Sequence, residues 1–122
     1  RIACHAALAG QVALGSTMRD RVGAVLARGN RVLGVGFNKA KTHPALLAHR
    51  YPTWSGVHAE MAACLGVESA KLAGSTIYVV RVKRGGGWGL ARPCVYCVGL
   101  LAHCGVKGVW WSSGRGEEVV RA

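Results

Sequence analysis

Residues 76–111 read TIYVVRVKRGGGWGLARPCVYCVGLLAHCGVKGVWW. The run 76–82 is rich in β-branched and aromatic residues, the composition of a strand. Residues 84–92 form a glycine-rich loop that carries Trp88. Pro93, a residue favoured at the first helical position, opens a helix that runs to about Cys104 and stops before Gly105. Residues 107–111 form a second strand. A strand, a helix and a strand in this order place the two strands parallel, joined by a right-handed crossover.

Upstream, residues 2–15 read as a helix, with Ile2, Ala6, Ala9 and Ala13 spaced to share a face. Residues 22–27 and 31–37 read as two strands joined by a turn at Arg28-Gly29-Asn30, which makes an N-terminal hairpin. Residues 38–57 are a long loop with Pro44 and Pro52, and loops of that length tend to serve a site. Residues 58–65 read as a helix with Met61, Ala62 and Leu65 on its apolar side. Residues 112–116 are a loop, and 117–122 a short tail to which no form is assigned. Strands alternating with helices predict an α/β domain, a sheet covered by helices, spanning 1–122 as one unit.

The chain has 122 residues, 51% hydrophobic and 17% charged, the balance of a folded domain. No apolar run approaches the ~18–20 residues that cross a bilayer, so no membrane partner is expected. The apolar stretch 2–14 follows an arginine, yet it reads better as a first helix than as a secretory signal. The first residue is not methionine, so a trimmed or excised domain is expected, a delivered toxin domain among the options. Sixteen Lys and Arg oppose five Asp and Glu, a net charge of +11. No acid occurs between Asp20 and Glu60 or between Glu68 and Glu117, and most of the basic residues fall there. Such a field attracts polyanions, nucleic acid first among them. Five cysteines include one C-x-x-C. Cys4, Cys64 and Cys104 lie in apolar helical surroundings and read as small buried hydrophobes. Unpaired thiols suit the cytoplasm or another reducing compartment.

Two fragments carry chemistry: His58-Ala59-Glu60 and Pro93-Cys94-Val95-Tyr96-Cys97. Cys94 and Cys97 stand at i and i+3 at the start of one helix, so both sulfurs face one way. The dipole there favours thiolate. His58, at the head of another helix, adds an imidazole nitrogen. Three protein ligands and one open tetrahedral position make the pattern of a catalytic zinc ion. Cys104 lies about 10 Å beyond Cys97 along a helix rising ~1.5 Å per residue, and so cannot close the same site. His103 and Cys64 fail for the same reason, which leaves His5, His43 and His49 to approach from elsewhere. Glu60, two residues after a ligand, is placed to take a proton from water beside the metal.

The set H-A-E with P-C-x-x-C resembles the signature of zinc-dependent deaminases of the cytidine deaminase superfamily. The likeness extends to Arg21-Val22-Gly23-Ala24-Val25-Leu26 and to residues 31–38, which resemble the first hairpin of deoxycytidylate and tRNA-adenosine deaminases. Histidine at 58 is similar to those branches and to the AID/APOBEC branch. The resemblance implies a three-layer α/β/α fold with a mixed sheet of four to five strands. It implies that Asn38 contacts sugar or base and that the Ala59 amide receives the pyrimidine carbonyl. Arg92 departs from the serine, threonine or glutamate common before the proline, and the last helix and fifth strand of the family look short or missing.

The activity expected is hydrolysis of cytosine to uracil in nucleic acid, DNA more than RNA. Lys39, Lys41, Arg84, Arg92 and Arg115 are the candidate phosphate contacts at the zinc face. Trp88, Trp54 and His43 are candidates to stack on a base, and at least one of Trp110 and Trp111 belongs to the core. The alternatives are a free-nucleotide (dCMP or CMP) deaminase, favoured by the likeness of residues 38–44 to phage nucleotide deaminases, and a tRNA adenosine deaminase. A non-catalytic zinc module is disfavoured by the intact Glu60.

Overall fold

The computed structural model describes residues 2–39 and 58–121. Helix α1 (Ile2–Ala13) leads into strands β1 (Arg21–Arg28) and β2 (Arg31–Phe37). Helix α2 (Ala59–Cys64) and the short α3 (Ser69–Leu72) precede β3 (Thr76–Val82) and the two-residue β4 (Trp88–Gly89). Helix α4 (Val95–His103) then leads to β5 (Gly108–Ser112) and β6 (Val119–Arg121).

The strands form one mixed sheet in the order β2-β1-β3-β5-β6, with β4 paired to the end of β3. The parallel pair is β3 with β5, as the strand–helix–strand reading predicts. Every other pairing is antiparallel. Six strands replace the expected four to five. The additions are β4, which arises because the glycine-rich loop folds back on β3, and β6, where the unassigned tail pairs with β5 through Trp110, Trp111 and Ser112.

Strand alternation sorts the core into two layers. On one face, Val25, Ala27, Tyr78 and Val80 pack with Ala6 and Ala9 of α1. On the other, Ala24, Leu26, Ile77 and Val79 pack with Ala59, Met61 and Ala63 of α2 and with Cys97 and Leu101 of α4. This is the predicted α/β/α arrangement. Trp110 and Trp111 fall on opposite faces, each half-buried against one of the two clusters.

Local departures have simple causes. His5, not Ile2, completes the inward face of α1; its Nε2 lies 2.9 Å from the Gly29 carbonyl and its ring lies against Tyr78. Ile2 and Cys4 are exposed, because the single sheet contact of α1 leaves that side in solvent. Pro93 stands one residue before the N-cap, since Cys94 is extended and caps the helix itself.

The helices approach the sheet closely because glycine lines the contact. A Cβ on Gly23 would come 2.9 Å from the Ala13 Cα of α1. A Cβ on Gly36 would meet the backbone of Ala62 and Ala63 and come 2.6 Å from the Ala62 Cβ. Gly34 likewise faces the Ala63 carbonyl. No side-chain rotation relieves backbone contacts of that kind.

Gly36→Ala is expected to lower stability by about 3 kcal/mol or more through overpacking. Gly99→Ala, within α4 and with open space around its Cα, is expected to raise it by about 0.5–1 kcal/mol. Urea denaturation of the two variants reads both signs; a neutral Gly36→Ala would contradict the contact.

Candidate metal centre

Helices α2 and α4 both begin at the same end of the sheet. His58 is the N-cap residue of α2 and is extended, with φ −75° and ψ 155°. Cys94 is the N-cap residue of α4, and its sulfur accepts the Cys97 N–H at 3.4 Å. The thiol thus takes the place of the serine or aspartate that usually caps a helix. An anionic sulfur gains there from the helix dipole as well.

The two N-termini bring three donor atoms together. His58 Nδ1 lies 3.3 Å from Cys94 Sγ and 3.3 Å from Cys97 Sγ. Tetrahedral zinc with ordinary bond lengths separates nitrogen and sulfur ligands by about 3.5 Å, so the triad fits that ion. Among the described residues no fourth His, Cys, Asp or Glu joins the group. Burial holds the His58 pKa below its ordinary value, which keeps the imidazole neutral as a ligand must be.

Glu60 lies in the first turn of α2 and is almost wholly buried. Desolvation pushes its carboxyl pKa up, against smaller opposing contributions from a backbone hydrogen bond and from Cys97. A dication in the triad would act in the opposite sense. The carboxyl is therefore poised to hold or release a proton beside the ligands. Cys64, one turn further along α2, is different: burial, then Cys104 and Glu60, push its thiol up to about 12. It is an inert core thiol, as expected.

A cavity of about 350 Å³ opens on this end of the sheet. His58, Ala59, Glu60 and Cys94 form its floor. Asn38, Leu90, Ala91 and Arg92 line it, and so do Met18, Arg19, Asp20 and Arg81, which the sequence reading did not single out. Arg81 was legible in principle. It shares parity with Ile77 and Val79 on β3, and so points to the same face as the metal ligands. Met18, Arg19 and Asp20 carry no such signal.

The other candidates divide. Asn38 lines the cavity, but both ends of its amide are engaged. Its Oδ1 accepts the Val22 N–H at 3.0 Å and its Nδ2 donates to the Asp20 carbonyl at 2.6 Å. The Asn38 carbonyl also accepts the Ser16 hydroxyl at 3.0 Å. Asn38 therefore clamps the α1–β1 connection against the end of β2 and shapes the cavity wall. Arg92 and Ala59 are in place. Trp88 is not. Alternation in β4 turns its ring to the α1 face, where a Cβ on Gly10 would lie 3.2 Å from its Nε1, so it cannot stack on a base at the metal. Lys39 turns away too, 5.4 Å over the Phe37 ring and lining a separate hollow beside α1. Arg115 is exposed on the β5–β6 connection and does not line the cavity. Arg84 lines the neighbouring hollows and not the cavity itself. Lys41, His43 and Trp54 lie outside the described residues.

Zinc-loaded protein is expected to hold one ion per chain by atomic absorption. Cys97→Ser and His58→Ala should lose it, whereas Glu60→Gln should keep it. Retention of the full ion by Cys97→Ser would exclude this triad. Asn38→Ala, which strips two backbone groups of their partner, should cost about 1–3 kcal/mol in urea denaturation.

Comparison with known proteins agrees with this geometry. Residues 2–113 match the cytidine and deoxycytidylate deaminase zinc-binding region. A deoxycytidylate deaminase of Mycobacterium phage D29 is 32% identical over 108 residues, covering 75% of this chain and 77% of that protein. Among solved structures, the dCMP deaminase of cyanophage S-TIM5 in apo form superposes with a TM-score of 0.63 at 20% identity, over 95% of this chain and 85% of that one. Acinetobacter baumannii RibD superposes with a TM-score of 0.54 at 21% identity, over 91% of this chain and 27% of its own. Matched over residues 2–113 and carrying a His/Cys/Cys group fit for a metal, the chain belongs to the zinc-dependent cytidine and deoxycytidylate deaminase family.

Proposed function

We propose that the protein hydrolyses the exocyclic amine of a free cytosine deoxynucleotide, giving the uracil nucleotide and ammonia. The kinship to a phage deoxycytidylate deaminase carries this reading. The cavity supports it. At about 350 Å³ it lies at the low end of the ~300–1,000 Å³ range of small-molecule pockets, the scale of one pyrimidine nucleotide. The strongly basic composition had favoured a polymer. Three of the basic residues invoked for it, Lys39, Arg84 and Arg115, do not line the cavity, and Trp88 faces the other side of the sheet.

His58, Cys94 and Cys97 would hold the zinc ion, which when bound supplies the Lewis acidity that makes water nucleophilic near neutral pH. Glu60 moves the protons. Its carboxylate takes one from the attacking water and delivers it to N3 of the ring as the bond to C4 forms. It then takes the remaining proton from the new C4 hydroxyl and passes it to the amine, which leaves as ammonia as the carbonyl closes. The burial that raises its pKa suits both halves of that exchange. The Ala59 N–H, in the first turn of α2 where helix donors lack intrahelical partners, would donate to the pyrimidine carbonyl. Leu90 and Ala91 supply the apolar wall beside the ring.

Incubation of the zinc-loaded protein with dCMP, CMP, single-stranded DNA, duplex DNA and RNA should yield uracil product from the deoxynucleotide. Uracil in the polymers with none in the nucleotides would overturn the reading. Glu60→Gln should lower kcat by roughly 10²–10⁴-fold, the usual contribution of a positioned acid–base group.

A further inference from the structure

The metal cavity does not end at its own rim. Arg19, Asp20 and Arg81 also bound a second hollow of about 200 Å³, completed by Val82, Lys83 and Arg84. Arg19 and Arg84 continue into a third, of about 560 Å³, with Arg21. Among the described residues, the middle hollow is therefore lined by four cationic residues and a single acid, Asp20.

The cations are held by a built framework. At the branch where β4 leaves β3, the fully buried Ser112 hydroxyl accepts the Arg81 N–H at 3.2 Å and donates to the Gly89 carbonyl at 2.6 Å. The Arg81 guanidinium lies against Gly89, where a Cβ would come 2.6 Å from its Nε. Beyond it, residues 83–87 close a tight turn: Lys83 N–H donates to the Gly87 carbonyl and Gly86 N–H to the Lys83 carbonyl, each at 3.0 Å. Gly86 and Gly87 both have positive φ, which the turn requires. Arg21 donates to the Lys83 carbonyl at 3.2 Å, which ties the turn to the start of β1.

Arg19 and Arg81 line both the metal cavity and the neighbouring hollow, as Asp20 does, so they are the cations that a first phosphate would meet on leaving the cavity. A phosphate monoester carries about two charges, and these two arginines match it. Lys83 and Arg84 line the neighbouring hollow and not the metal cavity, and are then surplus to a monophosphate. A guanidinium and an ammonium in such a place bind further phosphate oxygens, one through a planar fork and one as a point charge.

We infer that the hollow bounded by Arg19, Arg81, Lys83 and Arg84 holds phosphate groups beyond the first, so that the preferred substrate is a cytosine nucleoside triphosphate. The inference rests on the free-nucleotide reading above. It concerns the length of the phosphate chain and leaves the chemistry at C4 as described.

The test compares kcat/KM for dCMP, dCDP, dCTP and a five-nucleotide DNA strand with one central cytosine. The proteins are the zinc-loaded wild type and the Lys83→Ala/Arg84→Ala variant. Wild type should favour dCTP over dCMP by about tenfold or more, as one or two charge-assisted hydrogen bonds allow. In the variant the ratio should fall towards one. Inorganic tripolyphosphate should bind wild type in a calorimeter, and the variant about tenfold or more weakly. Equal values for dCMP and dCTP in wild type, or an unchanged ratio in the variant, would overturn the inference while the nucleotide reading stands. Turnover of the strand with none of any mononucleotide would overturn both.

Discussion

Everything at the catalytic end of this protein depends on how closely helix α2 lies on strand β2. Gly34 and Gly36 present bare backbone to the backbone of Ala62 and Ala63, so helix and strand meet without an intervening side chain. The same helix carries His58 at its N-cap and Glu60 in its first turn. An extra methyl at the contact would lift the helix, and a ligand and a proton carrier would rise with it. On the far side of the sheet, Gly23 lets α1 approach in the same way. The two helices thus hold β1 and β2 between them at fixed distances, and the sheet becomes a rigid base plate for the metal ligands.

The electrostatics follow from that geometry. Two helix N-termini point at one spot, and both favour negative charge there. Thiolates at Cys94 and Cys97 gain from this, and Cys94 uses its sulfur as the cap. Burial holds His58 neutral and makes Glu60 a ready proton acceptor. The long-range field has the opposite role. Arg19, Arg81, Arg92, Lys83 and Arg84 line the metal cavity and the hollow beside it, a field that favours anions there.

Much of this was legible in the chain. The β-branched run at 76–82, the break at Gly105 and the second strand before Ser112 set a parallel pair across α4. The spacing of Cys94 and Cys97 placed both sulfurs together, and His58 with Glu60 completed the chemistry. Other features resisted for physical reasons. Trp88 sits in a glycine-rich stretch with no period of its own, so nothing local told which face of the sheet its ring would take. Asn38 gave no local sign that its amide answers two backbone groups 16 and 18 residues upstream, Val22 and Asp20. The strand at 119–121 exists because β5 leaves an open edge, a fact about the sheet and not about Val119 and Val120.

The sequence by itself determined the metal and the fold class. Those rest on residue type and short spacing, and ligand chemistry tolerates few substitutes. Only the tertiary structure decided which cations border the site. Arg19 precedes β1 and Arg81 ends β3, 62 residues apart in the chain, and they share a cavity because β1 and β3 pair antiparallel with Arg21 opposite Val82. Charge along a sequence has no direction, whereas strand pairing and alternation assign each side chain to one end and one face.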